Sequence, residues 1–391
     1  MIASNGENLI FLISQPRAGS TLLQLMLSGH ADIATTSEPW IALHPIYALR
    51  TSGIDTMYDS KLAHLALLDF LKQSGMDISF YKKQVASFLL SLYKQAIEYQ
   101  KKKFFLDKTP HYCQIIPELV EIFPKAKFII LFRNPLAVLN SILKTWVKDD
   151  ITHLGSYENH LMDAPRKLVD FTKEYPERCL KVKYEELVTM PEIVLKDICS
   201  FLDISYSDRM LEYDNRYNAE WKFGDQVGVS KTSRPIVESL DKWKKGYTSP
   251  QERLFALSYL KSLGPELIKV MGYDFNEIKS SINAPEVGMQ DKLISWSTLM
   301  SNTEGFSKTR LTREMICQIL SDENYWSKKT DDLNQCDENY EWVKIIKQAA
   351  KRFQDLQIRS LLVERDALLN SFSWKITTPL RAIKRFFKEK K

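Results

Sequence analysis

Short apolar runs alternate with longer stretches of helical periodicity along roughly the first two hundred residues. The clearest runs are Leu9–Ser14, 103–106, 126–132 and 179–184, and each is bounded by turn-forming or charged residues. Run 126–132 is apolar except for Lys127, as expected of a strand in the middle of a parallel sheet. Strands that alternate with helices predict an α/β fold, namely a doubly wound parallel sheet flanked by helices.

Helical patterns follow these predicted strands. The spacing of apolar residues predicts helices over 21–27, 136–147 and 191–202, and a long helical stretch over 61–102. The third of the four predicted strands, 126–132, ends before Asn134-Pro135, and the predicted helix that follows it begins at Leu136.

The character of the chain changes after about residue 276. Residues 277–340 are largely polar and irregular, which predicts a linker with short helices. Residues 341–391 place apolar positions at roughly helical spacing among charges, which predicts a helical tail with a basic end. We therefore predict a first domain over residues 1–276, followed by the linker and an α-helical C-terminal extension.

The charge of the chain is concentrated at its end. The 391 residues are 44% hydrophobic and 26% charged, as in ordinary soluble globular proteins. The formal net charge is +5, yet residues 375–391 contain seven basic side chains against Glu389 alone, so the rest is close to neutral. A near-neutral body offers no electrostatic basis for nucleic-acid binding, and we expect no nucleic-acid partner.

The cysteines and the N-terminal residues bear on the compartment. The five cysteines are scattered, with no CxxC pair and no Cys/His cluster, which predicts reduced thiols and no metal site. The apolar run Leu9–Ser14 is too short for a signal peptide or a membrane span. We therefore expect a cytoplasmic protein.

The segment Gln15–Leu22 lies between the first predicted strand and the first predicted helix. Backbone N–H groups and the helix dipole favour an anion at such a position. Gly19 permits close approach of the backbone, and Arg17 supplies a planar cationic fork. The G-x-x-x-x-G-K-[ST] pattern is absent, which disfavours a magnesium-dependent kinase. The alternative is an ordinary turn with a solvent-facing arginine.

A second anion-binding position follows the strand at 126–132. Arg133 stands directly at its end, and Ser141 lies in the helix that follows. Both belong at the carboxyl edge of the sheet, where ligands of open α/β folds bind. Two such positions predict a ligand with phosphate groups at both ends. The alternative is that Arg133 is a surface residue and Ser141 an indifferent helix residue.

Four segments, in this order, resemble motifs of the PAPS-dependent sulfotransferases. Segment 15–22 resembles the 5′-phosphosulfate loop, 128–135 with Ser141 the 3′-phosphate motif, 182–187 the tyrosine segment and 240–243 the Lys-Trp segment. The resemblance covers roughly residues 8–275 and is closest to the tyrosylprotein and bacterial branch. It implies a P-loop-like fold and metal-independent, in-line transfer of a sulfo group from PAPS to a hydroxyl or amine, with PAP as product.

The resemblance also implies which residues bind the nucleotide. Those that would hold the 5′ group are Arg17, Ala18, Gly19, Ser20, Thr21 and Leu22. Arg133 and Ser141 would hold the 3′-phosphate with Tyr184 nearby, and Ser230, Lys231 and Lys242 would close over the nucleotide. Thr145 stands where the tyrosylprotein branch has a further arginine, so Lys144 or Lys148 would have to complete this contact.

Three residues, together with Arg17, are the candidate catalytic groups. Glu38 falls at about the position of the branch's catalytic glutamate, and Pro39 and Trp40 beside it would limit its hydration. Lys108 resembles the branch's lysine and would neutralise charge on the bridging oxygen. His111 is the rival base, since the cytosolic branch uses a histidine nearby. The alternative interpretations are that Glu38 is a surface residue in a turn and that the His111 side chain is simply packed.

Two other functions stay open at this point, namely a P-loop-type nucleotide kinase and an inactive nucleotide-binding scaffold. Segment 371–387 resembles the tail of many bacterial glycan-modifying enzymes, which implies a bacterial chain and a glycan or small-molecule acceptor. Its apolar and basic residues interleave, as suits either an anionic membrane surface or self-association through the C-terminal helices. No readable motif identifies the acceptor.

Overall fold

The computed structural model of the protein describes residues 5–51, 58–148, 151–213, 237, 240–248 and 250–284. The described residues before 149 and after 152 belong to one compact unit. Ser230 and Lys231, most of the predicted linker and the whole predicted tail lie outside the described residues, so those expectations stay predictions.

Five parallel strands form one sheet in the order β2-β3-β1-β4-β5. Their bounds are Leu9–Ser14 (β1), Ile33–Thr35 (β2), Phe104–Lys108 (β3), Lys127–Phe132 (β4) and Cys179–Lys183 (β5). β1 lies in the middle, where Ile10 pairs with Leu106 of β3 and Leu12 pairs with Ile129 of β4. The predicted parallel α/β fold is confirmed.

The helices flank this sheet. They are Ser20–Leu27 (α1), Leu43–Tyr47 (α2), Ser60–Gln73 (α3), Ile78–Gln100 (α4), Ile116–Ile122 (α5), Pro135–Ile142 (α6), Ala164–Glu174 (α7), Tyr184–Thr189 (α8), Pro191–Leu202 (α9), Pro250–Leu263 (α10), Pro265–Val270 (α11) and Phe275–Ser281 (α12). The helix predicted over 191–202 is confirmed residue for residue. None of the helices within the described residues combines the length and the apolar character that a membrane span requires.

Every residue of β1 is buried, and its side chains serve two cores. Phe11 faces the core formed with α4, α5 and α7, where its ring lies 5.3 Å from that of Phe128 and 5.9 Å from that of Phe123. Ile10 and Leu12 face the opposite core, formed with α1, α8 and α9. Burial on both faces explains why this strand reads as a continuous apolar run.

The order of the strands creates a crevice at the carboxyl edge. The chain leaves β1 towards β2 on one side of the sheet and leaves β4 towards β5 on the other. Because neighbouring strands whose connections run in opposite directions leave a gap between them, ligands of such sheets bind there. The segments that begin at Gln15 and at Arg133 therefore border the same crevice.

The long helical stretch predicted over 61–102 is confirmed, and the structure divides it into two helices, α3 and α4. Gly75 lies between them with a φ of 70°, a backbone conformation that favours glycine. Asp77 then caps α4, since its carboxylate accepts a hydrogen bond from the N–H of Phe80 at 2.9 Å.

The single amphipathic helix predicted over 136–147 is also corrected. α6 ends at Ile142, and Leu143–Val147 form a π-helical turn that closes with the Lys148 N–H donating to the Leu143 carbonyl at 2.6 Å. Six consecutive residues at the start of α6 are buried, so this helix has no polar face. The exposed residues begin only in the π-helical turn.

Among the described elements, one strand and seven helices were not predicted, namely β2, α2, α5, α7, α8, α10, α11 and α12. β2 has only three residues and α2 has five, whereas α7 is amphipathic and buries Leu168, Val169 and Phe171. The last described helix, α12, runs from Phe275 to Ser281 and so crosses the predicted domain boundary at residue 276.

Candidate active site

Four strand ends bring the predicted site residues to one edge of the sheet. β1 leads into the loop 15–19, and Lys108 is the last residue of β3. Arg133 follows β4, and Tyr184 follows β5. Because the strands are parallel, these four positions lie along one edge, as the sequence predicted.

The first loop turns sharply before α1. The N–H of Ala18 donates to the Gln15 carbonyl, and α1 starts at Ser20 with the Leu22 N–H donating to the Gly19 carbonyl at 3.0 Å. Gly19 has a φ of 97° and Arg17 a φ of 70°. A positive φ is uncommon for a residue with a side chain and costs of order 1–3 kcal/mol. The loop therefore holds Arg17 in a strained conformation at the crevice.

The two predicted anion-binding positions are in direct contact. Arg17 Nε donates to Ser141 Oγ at 3.0 Å, and Arg133 Nη1 donates to the Arg17 carbonyl at 2.9 Å. The Arg133 guanidinium also lies 4.3 Å from the centroid of the Tyr184 ring. Ser141, expected beside Arg133, is thus hydrogen bonded to Arg17, and the two predicted positions are joined in one cluster.

One donor in this cluster is unsatisfied. Arg133 Nε is buried and makes no hydrogen bond in the structure. A buried donor on a cationic group without an acceptor is costly, and an anionic ligand would remove that cost. This atom is the clearest sign that the cluster fits a phosphate group.

Gly19 and the Tyr184 ring are packed so closely that a side chain at position 19 has no room. A Cβ atom built on Gly19 would lie 2.3 Å from Cδ2 of Tyr184. The glycine is thus required both for its positive φ and for the approach of the ring. Since Tyr184 supports Arg133, Gly19 also positions the second arginine.

Glu38 and Lys108 form a buried ion pair. Lys108 Nζ lies 2.6 Å from Glu38 Oε1 and 3.4 Å from Thr21 Oγ1 in the first turn of α1. The Lys108 side chain is 1% exposed and that of Glu38 is 11% exposed. Because a buried ammonium needs a counter-charge, this pair fixes Glu38 beside the loop. The structure thus brings both predicted catalytic residues together with the predicted nucleotide loop.

Trp40 holds the second oxygen of this carboxylate. Its indole Nε1 donates to Glu38 Oε2 at 3.1 Å, and its backbone has a φ of 55°, which is rare for a bulky residue. Two residues on, the N–H of Ala42 donates to the Tyr112 hydroxyl at 3.1 Å. The loop after β2 is thereby held at its middle and at its C-terminal end, and strain is again located at the site.

Asp107, beside Lys108 in β3, is the centre of a buried hydrogen-bond network. Its carboxylate accepts from the Tyr93 hydroxyl and from the Thr109 hydroxyl, each at 2.7 Å. Burial raises the pKa of Asp107 to about 6, because desolvation outweighs the hydrogen bonds that favour the charged form.

Five partly exposed rings form what we call the aromatic band: Trp40, His111, His160, Trp146 and Tyr157. The centroid of the His111 ring lies 4.2 Å from that of the Trp40 ring and 4.8 Å from that of the His160 ring. Trp146 lies 5.8 Å from His160 and 5.2 Å from Tyr157. Burial lowers the pKa of both histidines, that of His160 to about 3, so both are neutral at pH 7.

His111, the predicted rival base, is therefore packed between Trp40 and His160. Its Nδ1 is buried and makes no hydrogen bond. Sequence reasoning missed His160, Trp146 and Tyr157, which come from residues 143–160 and not from a strand end. The only sequence signal was the local run of aromatic and histidine residues after Ser141.

The remaining predicted nucleotide ligands are at the margin of the site. Lys242 begins the short helix Lys242–Gly246 and is exposed. This helix is held against α6, since the neighbouring Tyr247 hydroxyl donates to the Leu136 carbonyl at 2.8 Å. Lys144 and Lys148, the candidates to replace an arginine at Thr145, are exposed around the π-helical turn.

The described part of the chain contains no group of three or more His, Cys, Asp or Glu side chains arranged to hold a metal ion. The chemistry of the site is instead that of two arginines, one lysine and one glutamate around a strained loop.

Comparisons with known proteins agree with this chemistry. The sequence model described as "Sulfotransferase family" matches residues 9–208. The putative protein-tyrosine sulfotransferase of Caenorhabditis briggsae is 25% identical over 285 residues, covering 71% of this chain and 92% of that protein. Protein-tyrosine sulfotransferase 1 of Danio rerio is 28% identical over 316 residues, covering 77% of this chain and 79% of that protein.

Bacterial proteins are also among the similar chains. The nodulation protein NoeE of Sinorhizobium fredii is 34% identical over 139 residues, covering 35% of this chain and 31% of that protein. Among solved structures, the sulfotransferase domain of the Synechococcus PCC 7002 olefin synthase has a TM-score of 0.48 at 22% identity, covering 69% of this chain and 96% of that chain. Since relatives come from animals and bacteria, they do not support the bacterial origin expected from segment 371–387.

The contact between Gly19 and Tyr184 generates the first prediction. Gly19→Ala should destabilise the protein more than Gly75→Ala, because both glycines have positive φ but nothing lies within 4 Å of a Cβ built at Gly75. Urea denaturation measures the difference. Adding Tyr184→Ala to Gly19→Ala should recover part of the loss. Equal destabilisation by the two glycine variants would contradict the role given to the Tyr184 ring.

Asp107 generates a prediction on pH. Because its pKa rises from 3.8 to about 6 on folding, the folded state binds a proton more tightly than the unfolded state. The free energy of unfolding should therefore fall, by up to about 3 kcal/mol from this group, as the pH rises from about 4 to about 6. Asp107→Asn should flatten this slope in thermal denaturation, whereas Asp197→Asn, at an exposed position, should not. A slope unchanged in Asp107→Asn would refute the assignment.

Proposed function

Because the chain belongs to the sulfotransferase family, we propose that it transfers a sulfo group from PAPS to a hydroxyl acceptor by in-line displacement, releasing PAP. The observation that carries this proposal is the position of Lys108, whose buried ammonium contacts both Glu38 and Thr21 of the first loop. A single cation thus links the candidate base to the candidate nucleotide loop. Such a link is what transfer between a bound donor and an activated acceptor requires.

The cluster at the crevice fits a donor with phosphate groups at both ends. PAPS, when bound, supplies the sulfo group attached to its 5′-phosphate. The first turn of α1 directs backbone N–H groups towards an anion, and Arg17 adds a fixed positive charge at the same loop. Arg133 has an unsatisfied buried donor for the 3′-phosphate, and the Tyr184 ring orients its guanidinium.

Glu38 is the base of the proposed reaction. Transfer breaks the bond between sulfur and the 5′-phosphate oxygen and forms a bond between sulfur and the acceptor oxygen, while Glu38 takes the acceptor's proton. Each carboxylate oxygen can accept more than one hydrogen bond, so the contacts with Lys108 and Trp40 leave acceptor capacity on Glu38. Lys108 then stabilises the negative charge that develops on the leaving oxygen.

Glu38 is favoured over His111 because of its surroundings. Its carboxylate is held by two donors beside the first loop, whereas the His111 ring is packed between Trp40 and His160. A nucleotide kinase is disfavoured by the family match and by the missing Walker lysine.

For the acceptor we propose a tyrosine hydroxyl of a protein ahead of the glycan or small-molecule acceptor expected from the sequence. The support is that several relatives bear the name protein-tyrosine sulfotransferase. The cytoplasmic location and the membrane or self-association role of residues 341–391 stay proposals, since no described residue tests them.

Two measurements test the proposal as a whole. Calorimetry should show that the full chain binds PAP more tightly than ATP with magnesium, and the reverse order would favour the kinase. Incubation with ³⁵S-labelled PAPS and tyrosine-containing peptides should transfer the label to the peptides. Binding of PAP without transfer to any hydroxyl acceptor would favour the inactive scaffold.

The role of Glu38 gives the third prediction. Glu38→Gln keeps the shape of the side chain but removes the proton acceptor, so the transfer rate should fall by about 10²–10⁴-fold. The Kd for PAP, measured by calorimetry, should be nearly unchanged, which would also show that the variant folds. The acidic limb of the pH–rate profile should disappear.

His111→Ala is the control for this assignment. Its transfer rate should stay within about tenfold of the wild-type rate, because it loses ring packing and not the base. If Glu38→Gln stays active while His111→Ala is inactive, the base is His111 and the proposal for Glu38 is wrong.

The role of Arg133 gives the fourth prediction. Arg133→Ala should weaken PAP binding by about 10- to 100-fold, because a hydrogen bond to a charged group contributes about 1.5–3 kcal/mol. Lys181→Ala, which removes an exposed positive charge from the adjacent strand β5, should leave the Kd within about twofold. Equal effects of the two variants would mean that the 3′-phosphate lies elsewhere.

A further inference from the structure

Glu185, the second residue of α8, holds the backbone next to Arg133. Its Oε1 atom accepts a hydrogen bond from the N–H of Asn134 at 3.0 Å. Asn134 directly follows Arg133 and caps α6, since its side chain accepts a hydrogen bond from the N–H of Leu136 at 3.0 Å. The turn between β4 and α6 is therefore tied to α8 at the residue after the arginine.

Two consecutive residues thus hold Arg133 from two directions. The centroid of the Tyr184 ring lies 4.3 Å from the guanidinium carbon, and Glu185 restrains the peptide group that follows the arginine. A flexible side chain that is ordered before a ligand arrives loses less conformational entropy on binding. Restraint of both the guanidinium and the backbone should therefore strengthen the grip of Arg133 on an anion.

Tyr273 holds the other oxygen of the same carboxylate. Its hydroxyl donates a hydrogen bond to Glu185 Oε2. Desolvation raises the pKa of this hydroxyl well above its usual range, and the negative charge of Glu185 acts in the same direction. The hydroxyl is therefore protonated at neutral pH and remains a donor.

The position of Tyr273 is itself fixed by its neighbours. Its N–H donates to the Ile268 carbonyl at 3.1 Å, at the end of α11. Lys183 Nζ lies 5.0 Å from the centroid of the Tyr273 ring. Gly272, just before it, has a φ of 91°, and a Cβ atom built there would lie 3.0 Å from Cδ of Lys183. The end of α11 and β5 together direct the hydroxyl to Glu185.

The charge of Glu185 does not explain its place beside a candidate anion site. A carboxylate close to a bound phosphate would weaken binding, because like charges repel. Both hydrogen bonds of Glu185 go instead to the Asn134 N–H and the Tyr273 hydroxyl, and neither involves the Arg133 guanidinium. The geometry is that of a residue that orients the arginine and leaves its guanidinium available to a ligand.

We propose that Glu185 is a positioning residue for binding of the 3′-phosphate. It fixes the Asn134 peptide, and thereby the backbone that carries Arg133, while Tyr273 fixes Glu185. This inference rests on the proposed function, and it adds that the segment between α11 and α12 contributes, through Tyr273, to recognition of a nucleotide that bears a 3′-phosphate.

A double-mutant cycle with Arg133 tests this role in the full-length protein. Glu185→Ala should raise the Kd for PAP, measured by calorimetry, by about tenfold, because the guanidinium loses its preferred orientation. In the Arg133→Ala background the same substitution should change the Kd by no more than about twofold, since no guanidinium is left to orient. Adenosine 5′-monophosphate lacks the 3′-phosphate, so Glu185→Ala should also leave its Kd within about twofold.

Two conservative variants separate positioning from folding. Glu185→Gln keeps a carbonyl oxygen for the Asn134 N–H and should bind PAP within about twofold of the wild-type Kd. Tyr273→Phe keeps the ring but loses the donor, so the Kd for PAP should rise about fivefold, and this rise should also disappear in the Arg133→Ala background. Because it removes a single oxygen atom, Tyr273→Phe keeps the test decisive if Glu185→Ala does not fold.

Glu186→Ala is the matched control. Glu186 is the next residue of α8, its side chain is 46% exposed, and it pairs with Lys183 at 3.2 Å. The substitution removes a carboxylate from the same helix without removing the contact to Asn134. The Kd for PAP should stay within about twofold of the wild-type value.

The outcomes distinguish this inference from the proposed function. A wild-type protein that binds no PAP refutes the proposed function, and the role of Glu185 with it. PAP binding in which Glu185→Ala raises the Kd by the same factor with and without Arg133 overturns the positioning role alone. An equal loss of affinity for PAP and adenosine 5′-monophosphate overturns it as well, as does an unchanged Kd for PAP in Tyr273→Phe.

Discussion

The ammonium of Lys108 is almost completely buried, and a buried charge is tolerated only beside a partner of opposite sign. Glu38 supplies that partner from the loop after β2, so the loop has to fold across the end of β3. Its course then brings Trp40 back onto Glu38 and sets the start of the aromatic band. The first loop joins the same arrangement through Thr21. The candidate base, the candidate nucleotide loop and the aromatic band are thus linked through one ion pair.

The parallel sheet explains why much of this site could be predicted from the sequence. Arg17, Lys108 and Arg133 each lie at or just after the end of an apolar run, and a parallel sheet gathers such ends at one edge. The contact between Arg17 and Ser141 could not be predicted, because it depends on how α6 approaches the first loop. Likewise, the packing of Tyr184 onto Gly19 could not be predicted, because these residues follow β5 and β1, which β4 separates in the sheet.

The sequence gives little signal for the aromatic band. His160, Trp146 and Tyr157 belong to π- and 3₁₀-helical turns, whose periods differ from that of an α-helix. A search for α-helical periodicity therefore places Trp146 in the helix predicted over 136–147 and passes over Tyr157 and His160. β2 was missed for a simpler reason, since three residues are too few to form a pattern. Residues that follow regular elements could be predicted, whereas residues in irregular turns required the structure.

The central position of β1 has a consequence for the time at which the site forms. β1 is synthesised before both of its hydrogen-bond partners, which are β3, where Leu9 pairs with Phe105, and β4, where Ile10 pairs with Lys127. Contacts between residues so far apart in sequence form slowly, because a long loop must first be closed. During synthesis the strained conformation of Arg17 therefore lacks its support until β4 and Ser141 have left the ribosome. The candidate nucleotide loop, although it precedes β3 and β4 in the chain, is therefore completed only after both strands are in place.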